Sequence, residues 1–548
     1  MENINKIDGL LFEKLVIGGA LKLKENLQEV NDLNVFPIPD GDTGDNMFLT
    51  ISGGVDAIKN VESNSLTAKA EALSNGMMLS ARGNSGVILS QYFTGFSKAV
   101  KGLDEANITQ VVDAFLGAAR HAYTSVIQPV EGTMLTVARE AAEYTFERKN
   151  EFISINEYID SYKEEMKKSL DNTPELLATL KEAGVIDSGG AGLLYIVEGF
   201  KDVLDGKEII EVESNNTQKK VDLSKFNEDS VMKYGYCTEF LLQLQKIKVD
   251  VYAFEIDEIV KYLETIGDSI VCYKAGTIVK VHVHTLTPYK ALEFCQQFGE
   301  FLTIKIENMT LQHSEVVEKK NAKKKGIKKK YGVVTCATGQ GLIDTFYGFG
   351  VDEVIDGGQC HNPSTKDFID AFERINADYI YVLPNNSNII MTANEAKDLY
   401  KDATIYVINT KDFGQAYAAL SLLDMNLDDP DEIARGLEEN MLDVCTGMIS
   451  KSIRDANINH VDIHEDDYIG FSGKTMITSH KDKIETYFEL IDKLDVRNKN
   501  FIITFFGKDV TDDEKQAVRE RLSEEYKNVE AYDIDGGQDV YDFIIIIE

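Results

Sequence analysis

The chain has 548 residues, a hydrophobic fraction of 43% and a net charge of −35 at pH 7. Its length predicts about three or four domains, the apolar fraction excludes global disorder, and the acidity excludes a duplex-wrapping protein, which needs a clustered basic face. There is no run of 18 apolar residues, no signal-peptide core near the N-terminus, and no Cys-x-x-Cys pair among six cysteines. The expectation is a cytoplasmic protein with no stable membrane insertion and no nucleic-acid partner.

Residues 1–205 carry helical spacing throughout. Ile7, Leu11 and Leu15 form one stripe flanked by Leu10, Ile17 and Leu21. Amphipathic runs then cover 66–80, 86–101, 109–128, 133–148, 156–170 and 173–183, before an apolar run over 191–204, with no period-2 segment among them. Glycine-rich joints separate the runs at Ser80–Gly86, Pro129–Thr133 and Asp187–Gly192.

Residues 34–47 read Asn-Val-Phe-Pro-Ile-Pro-Asp-Gly-Asp-Thr-Gly-Asp-Asn-Met, which places Asp40, Asp42 and Asp45 within six residues. Glycine allows a tight turn and proline stiffens it. Such carboxylates suit a hard cation, Mg²⁺ in particular, whose shell is completed by water and phosphate oxygens. A solvated acidic turn has the same composition. A helix starting near Gly44 offers unpaired N–H groups to phosphate, with the cation as the bridge. Ser80, Asn84, Ser85 and Gly86 supply either a second phosphate cradle or a helix cap. Arg82 would neutralise developing charge, or is an ordinary surface arginine.

Residues 206–228 read as a polar linker and 229–315 as a small α+β domain, with strands near 236–249, 269–273 and 277–285 and helices near 255–266 and 287–299. Within it, His282 and His284 alternate along a strand, so they share one face. With Cys237 they have the make-up of a three-ligand Zn²⁺ site that keeps an open position; two plain strand histidines beside a cysteine are the alternative. Residues 316–330, with eight lysines among 319–330, read as a solvated linker.

From 331 to 548 strands and helices alternate, which predicts an α/β domain with parallel strands. Ile355-Asp-Gly-Gly-Gln359 recurs as Ile534-Asp-Gly-Gly-Gln538 and suggests two related α/β halves, separated by a helical stretch over 412–457. The Walker-like stretch Gly470–Thr475 has Tyr468 in place of the first glycine, and Gly339-Gln-Gly341 lacks a third glycine, so both read as turns.

Four motifs stand in order across about 160 residues: Pro-Asp-Gly-Asp-Thr-Gly-Asp-Asn-Met, Gly-Asn-Ser-Gly, Pro-Val-Glu-Gly-Thr-Met-Leu and Asp-Ser-Gly-Gly-Ala-Gly. This set resembles the ATP-binding L domain of the dihydroxyacetone kinases. Over the whole length the chain is similar to the fatty acid kinase ATP-binding subunits of Gram-positive bacteria. The resemblance implies an eight-helix barrel over 1–205 that holds Mg·ATP, with two metal ions, at one end. Asp40 and Asp42 match the family's metal-binding aspartates, and Asn46 a polar residue beside the metals. Ser85 and Gly86 match the phosphate loop, and Thr133 and Met134 the adenine pocket. Where the dihydroxyacetone kinases have a further aspartate, this chain has Asn34-Val35, so Asn34 or Asp45 takes that role or one metal is held less tightly.

The resemblance extends to Cys237, His282 and His284, where it implies Zn²⁺. It also implies transfer of the ATP γ-phosphoryl group to a fatty acid presented by a separate fatty-acid-binding protein, in a homodimer. The 331–548 region is the candidate docking site for that carrier. The alternatives are a glycerone-type small-molecule kinase, a nucleotide-sensing regulator and, on His282 and His284, a zinc hydrolase.

Overall fold

Helix α1 (Gly9–Glu25) starts where the Asp8 carboxylate accepts the Leu11 N–H at 2.8 Å. It is followed by α2 (Leu27–Asp32), α3 (Thr43–Lys59), α4 (Leu66–Ser80), α5 (Gly83–Ala99), α6 (Ile108–Ser125), α7 (Met134–Glu147) and α8 (Ile155–Asp171). Two short helices, α9 (Thr173–Leu176) and α10 (Ala178–Ala183), precede α11 (Ser188–Leu204). Neighbours pack in sequence: α1 on α3, α3 on α4, α4 on α5, and so on through α8, which packs on α11, while α11 returns to α1. Their apolar faces form one core that includes Leu15, Met47, Phe96, Phe115, Tyr162 and Phe200.

The described residues are 4–33, 41–126, 128–207, 236–275, 277–308, 328–358, 362–423, 427–442 and 444–548 of a computed structural model. They divide into two compact units, Met1–Glu211 with Ile327–Glu548, and Val212–Gly326. No helix among them is long and apolar enough to cross a membrane.

The helical part departs from the sequence reading in two places. A ribbon of β1 (Lys6–Asp8) and β2 (Glu105–Asn107) joins antiparallel, and three residues are too few for an alternation to register. The run over 173–183 breaks at Leu177, which is extended at φ −126° and ψ 109°.

The Val212–Gly326 unit holds an antiparallel sheet in the order β4 (Gly267–Ala275), β5 (Ile278–Thr285), β3 (Tyr236–Leu244), β6 (Gly299–Asn308). Two helices, α12 (Asp257–Leu263) and α13 (Pro288–Cys295), bury Ile259, Leu263, Ala291 and Cys295 with Phe240, Val279 and Val283 of the sheet. Strand β6 was not foreseen.

The C-terminal region has two sheets. The first, in the order β10 (Thr404–Val407), β9 (Ala377–Leu383), β7 (Lys329–Ala337), β8 (Glu353–Asp356), is parallel throughout. Its connections include α14 (Gln340–Gly348), α15 (Thr365–Ile375) and α16 (Ile390–Leu399), as βαβ units require. After α17 (Phe413–Ser421) and α18 (Pro430–Asn440) comes β11 (Cys445–Lys451), so the helical expectation over 412–457 is corrected there. Its interior residues are all buried, which removes the alternation that marks a half-exposed strand.

The short ribbon β12 (Ala456–Ile458) and β13 (Val461–Ile463) precedes β14 (Tyr468–Ser472), β15 (Thr475–His480) and α19 (Lys483–Lys493). The second sheet, β15-β14-β11-β18-β16-β17, continues with β16 (Phe501–Phe506), α20 (Asp512–Glu525), β17 (Glu530–Asp535) and β18 (Phe543–Ile547). It is antiparallel except for β16–β17, so the two halves are not alike overall.

The repeated pentapeptide has a local basis. Asp356 ends β8 and Asp535 ends β17, each an edge strand parallel to the strand before it. Gly473 turns the β14–β15 hairpin at φ +56°, and Gly339 precedes α14 at φ +96°, so the two decoy motifs are turns. Lys329 and Lys330 begin β7, and Lys330 pairs with Asp428 at 2.9 Å. The rest of the lysine block up to residue 327 lies outside the described residues.

Candidate nucleotide site

Four helices start at one cavity of about 170 Å³. Asp42, Thr43 and Asn46 reach it from the start of α3, and Asn84, Ser85 and Ile88 from the start of α5. Thr133 and Met134 stand at the start of α7, and Asp187, Ser188 and Gly189 at that of α11. Each helix start brings N–H groups with no intrahelical partner and a positive partial charge. Four together make a strongly anion-attracting pocket, while Asp42 supplies the opposite charge at its edge.

The four starts differ in their local chemistry, and only that of α11 has a side-chain cap. The Asp187 carboxylate accepts the Gly190 N–H at 2.7 Å; burial pushes it up to about 6 against this bond and a second from the Met134 backbone. Thr133 donates its hydroxyl to the Val130 carbonyl at 2.8 Å. Asp42 makes no cap bond to its own helix, so its carboxylate serves elsewhere. Ser188 Oγ lies 3.4 Å from Thr43 Oγ1 and ties the starts of α11 and α3.

The C-terminal region closes one side. Asn362 Nδ2 donates to Asp42 Oδ2 at 2.7 Å, and Asn84 Nδ2 donates to Asn388 Oδ1 at 3.3 Å. Asn388 also lines the cavity. Arg82 Nη1 donates to the Asn362 carbonyl at 2.7 Å and stands 3.7 Å from Asp367. Burial holds its guanidinium below the ordinary value, with Asp367 acting in the other direction. Arg82 is therefore an inter-region contact and does not line the cavity.

Among the predicted residues, Asp42, Asn46, Asn84, Ser85, Thr133 and Met134 come together at the cavity, and Asp40 lies outside the described residues. Asp45 is exposed; its Oδ2 accepts from Asn31 Nδ2 at 2.7 Å, away from the cavity lining. Ser80 ends α4 and packs where Gly53 leaves room for its hydroxyl. A Cβ on Gly86 would fall 2.4 Å from Thr50 Oγ1, so this glycine serves the close approach of α5 to α3.

Sequence reasoning missed Asp187, Ser188 and Gly189, although their glycine-rich joint was visible. It also missed Asn31, Asn362 and Asn388. Asn362 and Asn388, hundreds of residues from the motif, carry no local signal.

In the separate Val212–Gly326 unit, strand register sets Cys237 opposite His284 and Glu239 opposite His282. The side chains of Cys237, His282 and His284 lie outside the described residues. No cluster of three or more His, Cys, Asp or Glu able to hold a metal occurs among the described residues, which do not include these three side chains.

Glu395 of α16 packs on α5 and accepts from Gln91 Nε2 at 3.1 Å. Burial, with a smaller push from Asp398, raises its carboxyl to about 7. Because the folded value exceeds the unfolded one, this group stabilises the packing below about pH 4–5 and loses that contribution as pH rises through 7. Thermal midpoints measured from pH 5 to 8 are expected to show Glu395→Gln gaining on the parent chain as pH rises, by up to about 3 kcal/mol. A constant difference across that range would contradict this account.

The residues around the cavity fit a metal–nucleotide ligand. Asn84 Oδ1 and Asn362 Oδ1 are buried without a hydrogen-bond partner. Leaving such atoms unpaired costs about 1–3 kcal/mol each, which a bound polar ligand, cation or water would offset. The donor set of helix N–H groups and hydroxyls beside a carboxylate suits a polyphosphate held with a hard cation.

Residues 37–202 match the DAK2 domain model, 233–316 the middle-domain model of the FakA-like fatty acid kinase proteins, and 332–548 their C-terminal model. The chain is 36% identical to protein YloV of Bacillus subtilis over 562 residues, with both chains fully covered. It is 36% identical over 565 residues to an uncharacterised protein of Staphylococcus aureus strain USA300, again with full coverage. Among solved structures, a dihydroxyacetone kinase of C. freundii in complex with AMP-PNP and Mg²⁺ aligns with 37% of this chain and 35% of its own at 17% identity, TM-score 0.29. The Streptococcus pneumoniae fatty acid kinase B3 protein loaded with linoleic acid aligns over 40% of this chain and 98% of its own at 11% identity, TM-score 0.27. Similarity this low adds nothing to the sequence matches.

Proposed function

The chain belongs to the FakA-like fatty acid kinase family, and on that footing we propose that it is the ATP-dependent component of a kinase for fatty acids. It transfers the γ-phosphoryl group of ATP to the carboxylate of a fatty acid presented by a separate fatty-acid-binding protein, giving an acyl phosphate for phospholipid synthesis. The observation that carries this reading is the meeting of four helix starts with the Asp42 carboxylate at one cavity.

When bound, Mg·ATP supplies the phosphoryl group and the cations that neutralise its charge. Asp42, with Asp40, would hold the metal. The backbone N–H groups at the starts of α5 and α11 and the Ser85 hydroxyl would orient the phosphates, and Thr133 and Met134 would bound the base. A carboxylate acceptor is already ionised at neutral pH, so the protein need supply no general base. In this reading residues 1–205 form the barrel-like kinase domain, 229–315 a middle domain and 331–548 the surface on which the carrier docks, in a homodimer.

The test is acyl phosphate formation, trapped as a hydroxamate with hydroxylamine from a mixture of purified chain, Mg·ATP and lipid-loaded carrier. Product that requires both carrier and chain is expected. Tight nucleotide binding without product would instead favour a nucleotide-sensing regulator, and product from dihydroxyacetone alone a glycerone-type kinase.

A further inference from the structure

Asn362 stands some 320 residues from Asp42 in sequence, yet its amide nitrogen lies 2.7 Å from the Asp42 carboxylate. Both are buried, at 2% and 9% exposure. The stretch from Asn362 to Thr365 is tied to the Ala81–Arg82 segment. The Asn362 carbonyl accepts from Arg82, Ser364 forms an antiparallel bridge with Arg82, and the Thr365 N–H donates to the Ala81 carbonyl at 3.2 Å. Ser364 and Asp367 form the capping box that starts α15. On the facing side Gly83 adopts φ +57°, and a Cβ there would lie 3.1 Å from Asn362 Nδ2 and 2.7 Å from Asn46 Nδ2. The start of α5 thus leaves room for the two amides to sit beside Asp42.

We propose that Asn362 is a positioning residue of the nucleotide site, contributed by the C-terminal region, that holds the Asp42 carboxylate ready for its cation. This rests on the Mg·nucleotide reading of the cavity. An amide N–H donated to a carboxylate fixes its rotamer. A hydrogen bond to a charged group of this kind corresponds to about tenfold or more in an equilibrium constant. The helical region therefore carries a complete site only while the C-terminal region is packed against it, and whatever moves residues 362–364 also moves the partner of Asp42.

The experiment uses the full chain with Mn²⁺ as a paramagnetic probe, titrated in the presence of a non-hydrolysable ATP analogue. Asn362→Ala is expected to raise the half-saturating Mn²⁺ concentration about tenfold. In turnover assays it should raise the Mg²⁺ requirement similarly, with the rate at saturating Mg²⁺ recovering to within about threefold of the parent. Glu395→Gln, in the same inter-region contact but away from the cavity, should leave the Mn²⁺ titration unchanged.

Equal Mn²⁺ affinity in Asn362→Ala and the parent, with Asp42→Asn impaired, overturns the role of Asn362 and leaves the nucleotide reading standing. Equal weakening by Asn362→Ala and Glu395→Gln reduces Asn362 to a packing contact and also overturns the role. No nucleotide-dependent Mn²⁺ uptake by the parent removes both readings. Should Asn362→Ala fail to fold, Asn362→Ser carries the same comparison.

Discussion

Replacing Asp42 with asparagine is expected to lower phosphoryl transfer by at least about 10²–10³-fold while leaving the fold intact. Among the described residues Asp42 brings its carboxylate to the edge of the cavity at the start of α3, and asparagine cannot supply its negative charge to a cation. The helix itself loses little, because the Asp42 side chain makes no cap bond to α3 and asparagine is as good a residue at a helix start. The Asn362 amide can still donate to an asparagine oxygen. Steady-state kinetics beside a thermal melt checks this, with a midpoint within about 2 °C of the parent expected. Full turnover in the variant, or its unfolding, would contradict the assignment.

A second large effect is expected at Gly199. Helices α1 and α11 touch through glycines, and a Cβ at 199 would fall 2.3 Å from the Gly18 carbonyl oxygen and 2.6 Å from the Gly19 Cα. These are backbone atoms and cannot turn aside, unlike a side-chain end. Gly199→Leu must therefore push α11 off α1, where the succession of packed helices returns to its beginning. The cost is expected to reach about 4 kcal/mol or more, beyond ordinary overpacking. Circular dichroism melts of the full chain should show the helical transition lowered by roughly 10 °C. An unchanged transition would mean that the two helices are free to separate without consequence.

Much of the helical region was legible because long amphipathic runs repeat every three to four residues, and α4 was bounded at both ends from its spacing alone. The strands were less so. Strand β11 lies inside the second sheet and is buried on both faces, so its sequence carries no alternation and read as part of a helical stretch. The recurrence of Ile-Asp-Gly-Gly marks the ends of two parallel edge strands, but it says nothing of the antiparallel strands that fill the second sheet.

The site divides in the same way. Asn84 and Ser85 were legible because glycine, hydroxyl and amide groups cluster at the start of α5 for a local reason, whereas Thr133 and Met134 came only from the family resemblance. Three aspartates in six residues look equivalent in sequence, whereas in the structure Asp45 is exposed and accepts from Asn31. Gly86, matched to the phosphate loop by resemblance, also leaves room for Thr50 where α5 approaches α3. Asn362 and Asn388 were invisible, because the packing of the C-terminal region over the helix starts is not encoded in any local pattern.

In the proposed function, the cavity where α3, α5, α7 and α11 begin is the metal–nucleotide site. Diffraction from the full chain crystallised with Mg²⁺ and a non-hydrolysable ATP analogue tests it most directly. Phosphates are expected among these four helix starts, within hydrogen-bond distance of the backbone N–H groups near Asn84 and Ser85, with a cation on Asp42. Nucleotide found instead in the smaller cavity of about 60 Å³ between the two C-terminal sheets, beside Asn385 and Gln538, would contradict it.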